Sequence, residues 1–163
     1  MATIEWSGAF CLDLPLMDDT HREFVSLLAL AQDATDEGLP AAWQGLIEHT
    51  DGHFAQEDRW MLATGFSSSG CHTIQHKVVL EVMREGAVQA AAGDTNGLRS
   101  MASELALWFA QHAQSADAAL ALHLRRVGYD PVTDTVINPD ALPGRPISGC
   151  GQQSCSGVEL ASA

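Results

Sequence analysis

The sequence predicts an all-α protein, an antiparallel up-down four-helix bundle with an N-terminal arm and an irregular C-terminal tail. In four long stretches, apolar residues recur every three or four positions, which is the spacing that places them on one face of a helix. Glycine, proline and serine separate these stretches, and no competing strand pattern of alternating apolar and polar residues occurs. Because short connections join antiparallel neighbours, we expect the four helices to form a bundle.

An N-terminal arm and the first helix are predicted at the start of the chain. Residues 1–15 contain Trp6 and Phe10 without a clear period, so we expect an extended arm that packs against the domain. The Asp-Asp-Thr run at 18–20 supplies typical capping residues for a helix that closes at Gly38. Its predicted inward face carries His21, Phe24, Val25, Leu28 and Ala31.

Three further helices follow. Pro40 suits the first turn of the second helix, and Gly65 ends it. The serines at 67–69 offer caps for the third helix, which stops near Gly93. The fourth helix continues in altered phase toward Arg126. The predicted inward residues of the second helix are Trp43, Leu46, Thr50, His53, Glu57, and Trp60 or Met61.

Size, composition and charge limit the classes of protein. With 163 residues, 46% of them hydrophobic, the chain can form one domain with a sizeable core. Its formal net charge of -13 disfavours binding to nucleic acid or to an anionic membrane surface. The sequence contains neither an apolar run long enough to span a membrane nor the features of a signal peptide, so we expect a cytoplasmic location.

Seven potential metal ligands lie on the predicted helices: His21, His53, Glu57, His72, His76, His112 and Asp117. Residues four apart, such as His53 and Glu57, point off the same face of a helix. Asp117 lies five residues after His112, and on a straight helix this step would separate the two side chains by about 140°. We therefore predict a kink, a π-bulge or a helix end between them.

The number and type of these ligands indicate two metal ions. Five imidazoles and two carboxylates are more donors than one metal accepts, so the carboxylates are expected to bridge two metals. Imidazole suits iron, copper and zinc, whereas bridging carboxylates favour iron or manganese. Together with one solvent-derived oxygen bridge, the set would leave one place open on two octahedral metals. A small exogenous ligand could bind there.

Four motifs contain these ligands: Met17-Asp18-Asp19-Thr20-His21, His53-Phe54-Ala55-Gln56-Glu57-Asp58 with Met61 after it, His72-x3-His76, and Trp108-x3-His112-x4-Asp117. In them, and over roughly residues 6 to 126, the sequence resembles the hemerythrins, specifically the bacterial ones. The resemblance implies two non-haem iron ions with an oxo or hydroxo bridge. One iron would take His72, His76 and His112, and the other His21 and His53.

The resemblance also implies a function. Glu57 and Asp117 would bridge the two irons, and O2 would bind reversibly at the open place on the iron with two histidines. O2 storage, delivery or sensing is the expected role, rather than an enzymatic one. The alternatives are a diiron peroxidase or nitric oxide reductase, with peroxide or nitric oxide as the ligand, and an iron-storage or regulatory module.

The domain prediction places the diiron bundle in residues 1–127 and a tail in residues 128–163. The tail is rich in proline, glycine and serine, so it is expected to be extended or partly disordered. Such a tail could recruit a protein partner. Cys150 and Cys155 could form a redox disulfide or share a soft metal, or they could have no specific role.

Other residues have two interpretations. His49 could form a hydrogen bond to a ligand or a bridge, or it could lie near solvent at the end of the bundle. His123 is expected to be exposed. A dry, apolar pocket is expected at the site, and its candidate walls are Phe24, Leu28, Phe54, Met61 and Trp108. Each of these residues could equally be ordinary bundle core, and the two interpretations are compatible.

Overall fold

The computed structural model of the chain describes residues 3–66 and 70–144 and confirms the predicted bundle. The helices are α1 (Pro15–Asp33), α2 (Leu39–Ala63), α3 (Cys71–Ala91), α4 (Thr95–His112) and α5 (Ala118–Val127). A π-helical turn over Ala113–Asp117 joins α4 to α5, so these two helices together form the fourth helix of the bundle. Each of α1, α2 and α3 contacts the next helix, and α1 also contacts α4, which closes the ring.

The N-terminal arm packs against the bundle as predicted. The backbone N–H of Ile4 donates to Oε1 of Gln32 on α1 at 2.8 Å. A single 3-10 turn, Gly8–Phe10, places Phe10 in the interior, where its ring centroid lies 5.3 Å from that of Phe109. The N-terminal arm therefore covers the groove between α1 and α4.

The predicted start of the first helix is wrong by one turn. α1 begins at Pro15, whose fixed backbone angle suits a first helical turn, and it ends at Asp33 rather than at Gly38. Asp18 is a buried residue inside the helix, and its Oδ1 accepts a hydrogen bond from the backbone N–H of Leu12 at 2.7 Å. This carboxylate binds the arm instead of capping the helix.

Beyond α5 the chain forms a short hairpin that the sequence did not predict. Gly128 ends α5 with a φ of 62°, in the left-handed region that glycine adopts without strain. Strand β1 (Tyr129–Asp130) then pairs antiparallel with β2 (Thr135–Val136). The serines at 67–69 and the pair Cys150 and Cys155 lie outside the described residues.

Two apolar clusters occupy the interior. The large cluster includes Phe24, Leu28, Leu39, Trp43, Leu46, Met83, Leu98 and Phe109. The small cluster consists of Leu14, Met17, Trp60, Met61, Leu120, Ala121, Leu124, Val127 and Tyr129. No described helix is both long enough and apolar enough to cross a membrane.

His123 is buried, which contradicts the expectation that it is exposed. Its side chain on α5 packs against Phe66 with ring centroids 5.0 Å apart, and Nε2 lies 3.1 Å from the carbonyl oxygen of Thr64 at the end of α2. A carbonyl only accepts hydrogen bonds, so Nε2 carries the proton and donates it. His123 thereby joins α5 to α2.

Acidification is expected to destabilise the protein in part through His123. Burial, with a smaller effect of Arg126, lowers the pKa of His123 below its ordinary value of 6.5. Its contribution to stability is therefore complete above about pH 6.5 and declines as the pH falls toward the lowered pKa of the folded state. Urea unfolding of the iron-loaded protein at about pH 7.5 and about pH 5 should show a smaller pH effect for His123→Gln than for the wild type. Equal pH effects in both proteins would contradict the prediction.

Candidate metal centre

The structure brings all seven predicted ligands into one buried layer. None of them is more than 5% exposed. Helices α1 and α2 contribute residues to both apolar clusters, and on each helix the candidate ligands lie between the two sets. On α1, for example, His21 lies between Met17 of the small cluster and Phe24 of the large one. The candidate ligands come from α1 (His21), α2 (His53 and Glu57), α3 (His72 and His76), α4 (His112) and the π-helical turn (Asp117).

The π-helical turn is the irregularity predicted between His112 and Asp117. Its wider winding accommodates one extra residue, so two positions five apart face the same side. His112 Nε2 consequently lies 3.1 Å from Asp117 Oδ1. A continuous α-helix would have directed the two side chains about 140° apart.

The Glu57 carboxylate divides its oxygens between two groups of histidines. Oε1 lies 3.0 Å from His53 Nε2 and 3.8 Å from His21 Nε2. Oε2 lies 3.3 Å from His72 Nε2 and 3.4 Å from His76 Nε2. Glu57 therefore stands between a two-histidine group and a second group from α3.

Asp117, in the π-helical turn, also directs its two oxygens to different groups of histidines. Its Oδ2 lies 3.2 Å from His21 Nε2. Its Oδ1 lies 3.0 Å from His72 Nε2 and 3.1 Å from His112 Nε2. Both carboxylates thus contact a two-histidine group, His21 and His53, with one oxygen and a three-histidine group, His72, His76 and His112, with the other.

The donor atoms of this layer fit a metal site. Eight buried side-chain atoms within the described residues have no hydrogen-bond partner: both ring nitrogens of His21 and His72, Nδ1 of His53, Oε2 of Glu57, and both oxygens of Asp117. Burying such groups without partners is costly, and a bound cation would offset that cost. Nitrogen and carboxylate oxygen donors suit iron, manganese and zinc.

The charges of the layer act on each other strongly. Burial lowers the pKa of His21, but the adjacent carboxylates of Asp117 and Glu57 outweigh burial and raise this pKa to about 10. The same balance of effects raises the pKa of His72 to about 9. Burial raises the pKa of the Glu57 carboxyl, yet the facing histidines hold it well below its usual range. Metal binding would therefore have to displace protons from the imidazoles.

Aromatic rings enclose both groups of histidines. Phe54 stacks on His76 with centroids 4.0 Å apart, and Trp108 stacks on His112 at 4.4 Å. On the two-histidine side, Phe24 lies 6.3 Å from the His53 ring, and Phe109 lies 5.3 Å from the His21 ring. These rings line the centre with apolar surface.

Three of the predicted wall residues, Phe24, Phe54 and Trp108, lie against histidines of the candidate site. Leu28 is part of the large cluster and Met61 of the small one, in agreement with the core interpretation of both. Phe109 was not predicted as a wall residue. It lies three residues before His112, and this helical spacing was the signal that could have identified it.

His49 lies at the edge of the centre and is partly exposed. Its Nε2 donates to the carbonyl oxygen of Thr20 at 3.1 Å, and its Nδ1 lies 3.6 Å from a Glu23 carboxylate oxygen. Its ring is 6.0 Å from that of His53. In the described structure, these polar partners lie outside the ligand set.

Comparison with known proteins provides independent information. A family model described as "Hemerythrin HHE cation binding domain" matches residues 12–121. A bacteriohemerythrin of Ralstonia nicotianae is 37% identical over 130 residues, which cover 80% of this chain and 95% of that protein. A bacteriohemerythrin of Pseudomonas paraeruginosa is 26% identical over 122 residues, covering 72% and 79%. One of Stenotrophomonas maltophilia is 25% identical over 127 residues, covering 74% and 81%.

Proposed function

Because the chain belongs to the hemerythrin family, we propose that it binds O2 reversibly at a non-haem centre of two iron ions. The observation that carries this proposal is the division of oxygens in Glu57 and Asp117. Each carboxylate directs one oxygen to the two-histidine group and the other to the three-histidine group. This is the arrangement required of side chains that bridge two metals.

The proposal assigns each ligand to an iron. His72, His76 and His112 would bind one iron, and His21 and His53 the other, while Glu57 and Asp117 would bridge them. The ring nitrogens of the three-histidine group converge: His76 Nε2 lies 3.3 Å from His112 Nε2. Two such nitrogens with lone pairs toward each other repel unless a proton or a cation lies between them.

The two-histidine side is the proposed entry place for O2. With one histidine fewer, the iron there would keep a coordination place for an exogenous ligand. Phe24 and Phe109 flank that side, with their own ring centroids 4.5 Å apart. Their apolar surface favours a small uncharged ligand and excludes water, which would otherwise promote irreversible oxidation. Two ferrous ions would supply the electrons that O2 takes up on binding and returns on release.

Reversibility is the property to test. The anaerobically reduced, iron-loaded protein should develop a visible absorption band in O2 and lose it on degassing, over repeated cycles. Its iron content should be two per chain. A permanent oxidised spectrum after one exposure would contradict the proposed function.

The same preparation distinguishes the alternatives. Sustained consumption of peroxide or nitric oxide with an added reductant would indicate an enzyme, and iron bound well above two ions per chain would indicate storage. The cytoplasmic location, the division into residues 1–127 and 128–163, and a protein partner for the tail stay predictions.

A further inference from the structure

Two of the five clustered histidines have a polar side chain behind the imidazole ring. His76 Nδ1 lies 3.1 Å from Asp58 Oδ1, and His112 Nδ1 lies 2.9 Å from Gln75 Oε1. Both partners are partly exposed, whereas both imidazoles are buried. These contacts connect the back of the three-histidine group to the surface of the bundle.

The contact with Asp58 determines which nitrogen of His76 carries the proton. An ionised carboxylate only accepts hydrogen bonds, so Nδ1 of His76 must donate. In the neutral ring, the lone pair is then on Nε2, which faces Glu57 Oε2 at 3.4 Å and His112 Nε2 at 3.3 Å. Gln75 imposes no such constraint on His112, because an amide can present either its oxygen or its NH2 group.

Asp58 lies between His76 and the surface of the bundle. Its Oδ1 accepts hydrogen bonds from both His76 and Thr73, and the side chain is 35% exposed. It lines a surface groove of about 260 Å³ between α2 and α3, to which charged side chains of both signs also contribute. Asp58 therefore connects the rear of His76 to solvent.

We propose that Asp58 is a positioning residue for the three-histidine iron: it holds the Nε2 lone pair of His76 toward the metal and strengthens His76 as a donor. A carboxylate behind a ligand histidine raises the basicity of that ligand and orients its ring. A more basic ligand stabilises ferric over ferrous iron, so Asp58 lowers the reduction potential of the centre. This inference rests on the proposed diiron function.

The test compares substitutions of the two residues, Asp58 and Thr73, that are joined by the hydrogen bond at Asp58 Oδ1. Asp58→Asn keeps the size of the side chain and an acceptor for His76 but removes the charge. Thr73→Val removes the other hydrogen bond to Oδ1 and leaves the charge in place. Circular dichroism confirms that each full-length variant is folded. Co(II) affinity, from titration of the metal-free chain, and the reduction potential of the iron-loaded protein are then measured.

Asp58→Asn should bind Co(II) about 10- to 100-fold more weakly than the wild type and show a higher reduction potential. Thr73→Val should resemble the wild type in Co(II) affinity and in reduction potential. Asp58→Glu, which keeps the charge, should bind Co(II) with most of the wild-type affinity. Asp58→Glu also serves as the test if Asp58→Asn does not fold. Wild-type values in Asp58→Asn, or equal changes in Thr73→Val, would overturn the inference while leaving the diiron centre intact. A wild-type chain that takes up no iron would instead overturn the proposed function.

Discussion

Replacement of Asp117 by asparagine is expected to reduce bound iron from two ions per chain to one or fewer and to abolish the reversible O2 spectrum. Asp117 contacts both histidine groups through separate oxygens, and it is fully buried. An amide offers a single, neutral oxygen, so it cannot bridge two cations as a carboxylate does. Iron content by elemental analysis and the O2 difference spectrum measure the effect.

Asp18→Asn is the matched control for this experiment. Asp18 is also a buried aspartate, but it hydrogen-bonds the N-terminal arm and forms no hydrogen bond or ion pair with the seven candidate ligands among the described residues. It should retain wild-type iron content even if the arm is weakened. Two irons per chain in Asp117→Asn would show that this carboxylate is not a required bridge.

Removal of iron is expected to lower the thermal unfolding midpoint by roughly 10–15 °C. A ligand present at about a thousand times its dissociation constant stabilises the folded state by about 4 kcal/mol, and in a chain of this size each kcal/mol shifts the midpoint by about 2–4 °C. The physical source is the buried layer, where eight polar side-chain atoms of the described residues have no hydrogen-bond partner.

Calorimetry of the iron-loaded and chelator-treated protein at one pH measures this shift. The control is Asp117→Asn, in which chelator should change the midpoint much less, because little iron is bound. Coincident midpoints for loaded and chelated wild-type protein would mean that iron contributes nothing to stability.

The convergence of the seven candidate ligands could be predicted in part from the sequence, because His53 with Glu57 and His72 with His76 each share one face of a helix. Spacing along a helix determines the face on which a side chain lies, so His72 and His76 were predictably neighbours. The five-residue step from His112 to Asp117 conflicts with a regular α-helix, and this conflict predicted the π-helical turn.

Contacts between helices were not predictable in this way. Asp58 meets His76 across α2 and α3, and no periodicity relates the two positions. His123 is another example: its burial depends on where Thr64, at the end of a different helix, is placed. Asp18 carries a local capping signal, yet the arm folds back and uses its carboxylate. In each case, a tertiary contact outweighs the local pattern.

The ligand layer divides the interior, and this division affects how the protein unfolds. The large and small clusters are separate apolar units, and the layer between them holds the charged and polar candidate ligands together with the ring of Phe54. Without a cation, we expect that layer to join the units weakly and each unit to open by itself. Iron held by ligands from all four helices of the bundle would connect the two apolar units, so that they would open together. A metal bound in this layer would then also make the two apolar units unfold together.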